Sequence, residues 1–256
     1  MPELPELEVI VENLHKQIDG LKIISIEELD SKSIKGKLSI DKNLGLIKDV
    51  KRYGKYIYFK TELLDFYLHL MLSGKINITD KGETDRGRVV LRLSDGNNLY
   101  VVDIRRLAYL GIDIKDIPTG MDPFNKLFTT NALTALIVRA NKKKLKSFLM
   151  DQDLIAGIGN AYSDEIMYNA KLNPAKRAGE CTSKEIAKLH KSIKEVLLEA
   201  IKNIKNKVKN NIYFEEVRDF MFVHKRKDKL CSECGSKITT MKVDNKNTHY
   251  CPICQE

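Results

Sequence analysis

A chain of 256 residues is long enough to bury a sizeable core and to divide into two domains. Its 44 Lys and Arg against 35 Asp and Glu give a net charge of +9, a balance that suits a polyanionic partner. No apolar run approaches the ~18 residues of a membrane span, and no basic-then-apolar leader opens the chain, so the expected location is cytoplasmic, of bacterial type.

The charge is unevenly spread. Residues 1–50 carry seven Lys against ten acids, whereas residues 202–230 carry nine Lys and Arg against four. Positive charge therefore gathers toward the C-terminal part.

The chain opens Met1-Pro2-Glu3-Leu4-Pro5-Glu6. With Met1 removed, Pro2 becomes a secondary amine followed at once by a carboxylate. An α-amino group titrates near pKa ~7.7–8.0, so a useful fraction is neutral and nucleophilic at cellular pH. Such an amine can attack an electrophilic carbon, as a Schiff-base lysine does. The same residues also suit an ordinary helix start.

Leu7, Ile10, Val11, Leu14 and Ile18 recur at helical spacing before Gly20, which predicts an amphipathic helix over about 4–19. From Leu21 to about Asp113 the pattern becomes short β-rich pieces: 23–26, 56–59, 76–78, 89–93 and 99–102. Lys-Gly, Ser-Gly and Asp-Gly turns separate several of them. One helix and about eight strands predict an N-terminal antiparallel β-sandwich domain over residues 1–116.

Two places in this half suggest chemistry. Lys55 lies at the mouth of a hairpin beside Gly54, as a solvated lysine or as a group that a ligand can approach closely. Arg105 and Arg106 follow Asp103, either to pair with it or to project into a nucleic-acid groove.

After a linker at 117–123 the pattern turns helical, with short helices near 131–139 and 143–152 and another over 161–170. Between the last two, Gly157-Ile158-Gly159-Asn160 makes a tight turn that leads into a helix N-terminus. That arrangement serves as a plain helix–helix turn or as an anion site. Thr182-Ser183-Lys184-Glu185 is a capping box opening a long helix with an apolar stripe from Ile186 to Ile204. The helical domain is assigned to 124–222 and the terminal hairpin to 223–256.

That hairpin holds Cys231-x-x-Cys234, a 16-residue gap, and Cys251-x-x-Cys254. Two such pairs at this separation match a four-thiolate structural zinc site, one Zn2+ per chain. Disulfides suit a chain without a secretory leader poorly, and a redox pair would not come twice. Cys181 stands apart.

Together these pieces resemble the formamidopyrimidine-DNA glycosylases of the Fpg/Nei group along the full chain. The matching motifs, in order, are Pro2–Glu6, Arg52-x-x-Lys55-Tyr56, His69-Leu70-x-x-Ser73-Gly74, Asp103-x-Arg105-Arg106, Gly157-x-Gly159-Asn160 and Tyr250-Cys251-Pro252-x-Cys254-Gln255. The resemblance implies an α+β protein, with a helix and β-sandwich followed by a helix-two-turn-helix domain and a zinc finger. It implies a bifunctional base-excision enzyme, a DNA glycosylase and abasic-site lyase acting as a monomer on damaged double-stranded DNA. Pro2 would attack C1′ of a flipped nucleotide, Glu3 would serve as acid on the sugar, and Glu6 would position the N-terminus. Lys55 would contact the lesion-side phosphate. Leu72, Arg105 and Leu107 would enter the duplex, and Gly159, Asn160 and Lys246 would grip its backbone. The competing reading is a non-catalytic binder of lesions or junctions on the same fold.

The chain departs from the family's pattern mainly where the lesion is read. Met71 stands where the family has glycine and Leu72 where it has methionine. Leu107-Ala108 replaces Phe-Gly, exchanging an aromatic wedge for an aliphatic one. Lys246 replaces an arginine and lacks the bidentate fork. Residues 205–211 replace a Gly- and Thr-rich loop after the long helix, and contain no glycine.

Overall fold

The computed structural model describes residues 1–36, 43–82 and 86–255. Two compact units emerge: Met1–Ile117 together with Ile204–Val217, and Pro118–Asn203 together with the chain from Arg218 onward.

The first unit opens with α1 (Leu4–Ile18), whose buried face of Leu4, Leu7, Ile10, Val11, Leu14 and Ile18 follows the 3.6-residue period. Among the described residues nine strands follow: β1 (Lys22–Glu28), β2 (Ile34–Lys35), β3 (Gly45–Tyr53), β4 (Tyr56–Thr61), β5 (Phe66–His69), β6 (Lys75–Thr79), β7 (Gly87–Leu93), β8 (Asn98–Val102) and β9 (Tyr109–Gly111). Their order is β2-β9-β5-β4-β3-β1-β7-β8-β6. The β3–β1 join is short, only Lys22↔Leu46 and Ile23↔Gly45. It divides the sheet into two halves whose inward residues, such as Ile57 and Phe59 from one and Val89 and Leu91 from the other, share one core. All pairings are antiparallel except β2 with β9.

Strand β3 was not foreseen from sequence. Lys48, Lys51 and Arg52 interrupt its apolar run, yet Ile47 and Val50 reach the core. The two-residue β2 and three-residue β9 are too short to carry a period.

In the second unit, α2 (Thr130–Arg139), α3 (Leu145–Met150) and α4 (Asn160–Ala170) precede the long α5 (Ser183–Val208). Helix α5 runs past Ile204, so Lys205–Val208 are helical and not part of the loop expected over 205–211; only 209–211 follow the helix. Lys205 and Lys207 in its last turn suit the negative end of the helix dipole. The chain ends in a hairpin of β10 (Thr239–Val243) and β11 (Lys246–Tyr250). Asp244 and Asn245 both have positive φ (46° and 65°), as a type I′ turn requires. No helix among the described residues is long and apolar enough to cross a membrane.

Candidate active site and nucleic-acid interface

At the N-terminus, Pro2 is half-exposed while Glu3 and Glu6 are 3% and 1% exposed. The Glu6 carboxylate accepts from the Glu3 amide at 3.0 Å, capping α1 and fixing the backbone that carries Pro2. Nearly buried Arg52 ties this helix to the β3–β4 turn: its Nε donates to Glu8 at 2.5 Å and its Nη1 to the Gly54 carbonyl at 3.3 Å. That turn is Gly54-Lys55, with Gly54 at φ 55° in the first central position, where a type II′ turn asks for glycine. Lys55 is 8% exposed, more enclosed than a solvated turn lysine.

Beside Lys55 stands His69 at the end of β5, tilted against Tyr56 and stacked on Tyr109. Burial, with the positive charges of Lys55 and Lys35, lowers its pKa to about 4, so the ring is neutral at cellular pH. Its Nδ1 accepts from the Met71 amide at 3.1 Å, which orients the next turn. Lys32, Lys35, Arg88 and Arg106 join His69 around an open basin of about 550 Å³.

The two expected wedges are exposed, Leu72 at 44% and Leu107 at 43%. Asp103, expected either to pair with its neighbouring arginines or to leave them free, instead builds their loop. Its carboxylate accepts from Ser73 Oγ (2.5 Å) and from the amides of Arg105, Leu107 and Ala108 at 2.8–3.0 Å. Burial alone would raise its pKa, but these donors hold it below the ordinary value. The Ser73 contact ties the Leu72 turn to the Leu107 loop. Buried Arg88 supports that loop from beneath, its Nε donating to the Ala108 carbonyl at 3.0 Å. Arg105 is left exposed, and Arg106 approaches Asp30 at 3.4 Å. Met71, where the family has glycine, adopts φ 50°, a left-handed conformation that disfavours a side chain. Gly74 is required by packing: a Cβ there would collide with the Leu70 carbonyl and come within 2.9 Å of Ala108.

In the second unit, Gly157 (φ 97°) makes the turn into α4, and Gly159, in extended conformation, is its N-cap. Gln152 holds the turn: its Oε1 accepts from the Gly157 amide at 2.9 Å and its Nε2 donates to the Ile158 carbonyl at 2.7 Å. Asn160 opens α4, and its side-chain Oδ1 is the one buried side-chain polar atom among the described residues without a hydrogen-bond partner. That oxygen is an acceptor, so it is the N-terminus of α4 that favours an anion here.

Beneath this turn lies a group that the sequence reading missed. Lys146 and Asp164, both fully buried, are ion-paired. Lys146 Nζ also donates to Ser163 Oγ and to the Asn160 carbonyl, each at 3.3 Å. Asp164 Oδ2 meets His224 Nδ1 at 2.8 Å and His249 Nδ1, on β11, at 3.3 Å. Burial pushes the Asp164 pKa up, but His224, His249 and Lys146 together hold it below the ordinary value. Next to it, the Glu165 carboxylate accepts from the amides of Phe222, Val223 and His224 at 2.8–2.9 Å, and burial raises its pKa. Polar residues in a helix carry no sequence signal for such a role, because only the fold tells which of them are buried.

The four cysteines Cys231, Cys234, Cys251 and Cys254 converge, with all four sulfurs within 4.8 Å of one another. Cys234–Cys251 and Cys231–Cys254 are 3.5 and 3.9 Å apart. Four Zn–S bonds of ~2.3 Å in a tetrahedron place sulfurs about 3.8 Å apart, so this set fits zinc. Lys246 begins β11 beside the turn and is exposed. The hairpin tip is anchored through Asp244, which accepts from Ser147 Oγ at 2.5 Å and pairs with Lys144 at 3.1 Å.

A capped N-terminal helix with buried acids, a β-sandwich, a glycine turn opening a helix and a four-thiolate hairpin together describe a zinc-finger DNA-repair protein of the helix-two-turn-helix class. Comparison with known proteins agrees along the whole chain. Residues 1–110 match the formamidopyrimidine-DNA glycosylase N-terminal domain, 119–216 the formamidopyrimidine-DNA glycosylase H2TH domain, and 228–256 the zinc finger found in FPG and IleRS. The formamidopyrimidine-DNA glycosylase of Pelotomaculum thermopropionicum is 32% identical over 278 residues, covering 100% of this chain and 99% of that protein. The enzyme of the same name from Lactococcus lactis subsp. cremoris is also 32% identical, with both proteins fully covered. Among solved structures, MutM in complex with DNA containing carbocyclic 8-oxo-G has a TM-score of 0.88 at 31% identity. Wild-type Lactococcus lactis Fpg with DNA containing N7-benzyl-Fapy-dG has a TM-score of 0.86 at 29%. Each covers 100% of both chains. The chain belongs to the formamidopyrimidine-DNA glycosylase family.

Proposed function

We propose that this DNA glycosylase of base-excision repair is bifunctional, removing a damaged base from duplex DNA and then cleaving the strand, with Pro2 as its nucleophile. The observation that carries the reading is the N-terminus itself: a half-exposed Pro2 that precedes a capped helix start carrying two buried carboxylates, Glu3 and Glu6. Once Met1 is removed, the Pro2 nitrogen lone pair forms a bond to C1′ as the bond from C1′ to the base breaks, and the base departs with a proton. Glu3 protonates the ring oxygen O4′ as the C1′–O4′ bond breaks, which opens the sugar and leaves an iminium at C1′, and Glu6 keeps the N-terminus in place through its cap. The iminium at C1′ acidifies C2′, so proton loss there expels the 3′ phosphate by β-elimination, and δ-elimination expels the 5′ phosphate.

Lys55 contacts the lesion-side phosphate. Leu72, Leu107 and Arg105 enter the duplex around the vacated position, on loops tied together by Asp103. Gly159, the Asn160 carboxamide and Lys246 hold the backbone, and the zinc held by Cys231, Cys234, Cys251 and Cys254 maintains the hairpin that presents Lys246. The enzyme acts as a monomer.

Borohydride trapping on a duplex containing an abasic site tests the reading. Enzyme shown by mass spectrometry to lack Met1 becomes covalently fixed to DNA, an extended N-terminus abolishes trapping, and Pro2→Gly keeps part of it as a primary amine. Lesion binding without any trapping would instead mark a non-catalytic binder.

A further inference from the structure

The segment after α5 lacks the glycines of the family's loop, and the structure shows what replaces them. Residues 209–217 form a strap fixed to the first unit along its length. Asn13 Nδ2 donates to the carbonyls of Lys209 (2.8 Å) and Asn211 (3.0 Å), and Gln17 Nε2 to that of Asn210 (3.0 Å). Ile212, 4% exposed, enters the sandwich core, and Phe214 packs against it. Lys75 pairs with Glu215 and lies 5.0 Å from the centre of the Tyr213 ring. The strap ends by placing the Glu216 carboxylate against the ammonium of Met1. Both partners are only half-exposed, so water does not fully screen the pair.

We propose that Glu216 is the positioning residue for the nucleophilic amine of the processed enzyme, an inference that rests on the reading of Pro2 as nucleophile. Consecutive backbone nitrogens are at most about 3.7 Å apart, so removal of Met1 withdraws the amine by no more than that distance. Leu4 is fully buried and α1 is capped, so Pro2 stays where it is, and the three side-chain torsions of Glu216 cover the retreat. A neutral secondary amine has one N–H and one lone pair. Donating that N–H to Glu216 fixes the direction of the lone pair, which is the part of the molecule that must meet C1′. The strap in this chain thereby brings a carboxylate to the nucleophile.

The test is single-turnover borohydride trapping on an abasic duplex, with Met1-free protein throughout. Glu216→Gln, which keeps size and removes charge, lowers the trapping rate by roughly 10- to 100-fold, the range expected when a reacting group is misplaced by about an ångström. Duplex affinity changes less than threefold and the melting temperature stays within about 2 °C. Glu216→Asp recovers part of the rate. Glu215→Gln, which removes the neighbouring carboxylate, stays near wild type. Wild-type trapping with Glu216→Gln equally fast, or slowed no more than Glu215→Gln, overturns the proposal while leaving Pro2 as nucleophile. A wild-type enzyme that is never trapped removes the Pro2 reading, and this one with it.

Discussion

Lys146→Met is the most demanding test of the buried network beneath the turn into α4. Lys146 is fully buried, and its ammonium serves three oxygens on α4: the Asp164 carboxylate, Ser163 Oγ and the Asn160 carbonyl. Methionine fills similar space but supplies no donors. Asp164 keeps His224 and His249 yet loses its permanent cation, and Asn160 loses the bond that fixes the first turn of α4. Breaking a buried ion pair from one side costs about 3–5 kcal/mol, because the remaining charge stays buried without full compensation. For a unit of this size, between the small and the large domains, each kcal/mol moves the melting temperature by about 3–6 °C, so the loss should be roughly 9–30 °C. The same pair makes a pH statement. The Asp164 carboxyl titrates lower in the folded protein than in the unfolded chain, where its ordinary value is ~3.9. Its contribution is therefore complete above about pH 5 and is lost as the pH falls through the folded value. Thermal melts of wild type and variant from pH 7 downward measure both effects, and the gap between the two curves should close in acid. A gap below about 1 kcal/mol at pH 7, or one that widens in acid, refutes this account of the network.

Two further outcomes follow from the zinc finger and from the loops proposed to read the lesion. Metal analysis should return one zinc per chain, and Cys251→Ser should lose both the metal and DNA binding while the β-sandwich unit stays folded; unchanged affinity would refute this. With an aliphatic Leu107, a lysine at 246 and no glycine-rich loop after α5, abasic sites should be cleaved well and 8-oxoguanine excised more slowly than ring-opened purines. The preference for the opposing base should be shallow. Single-turnover excision on matched duplexes checks this, and 8-oxoguanine opposite cytosine emerging tenfold faster than the rest would show that the loop is not the selectivity element.

The sequence by itself determined the parts whose signal is local. The period of Leu7 to Ile18 marked α1, the capping box at Thr182 opened the helix that became α5, and two C-x-x-C pairs specified a metal because each pair aims its sulfurs within a few residues. The ordered motifs from Pro2 to Gln255 carried the family. Tertiary structure decided everything that depends on residues far apart in the chain. Strand β3 has its apolar pattern broken by Lys48, Lys51 and Arg52 and becomes a strand because β4 and β1 supply its partners. Asp103 faced two arginines in sequence and turned instead to Ser73 and three amides, because its burial left backbone donors as the nearest charge-compensating groups. Lys146 reads as one of many lysines until the packing of α3 on α4 removes water from it. Glu216 lies 215 residues from Met1, and only the strap's anchorage to α1 and the sandwich core brings a carboxylate to the amine. Propensity and motif spacing act over a few residues, whereas burial and charge pairing are properties of the closed chain, so the family and its zinc were legible early and the buried supports were not.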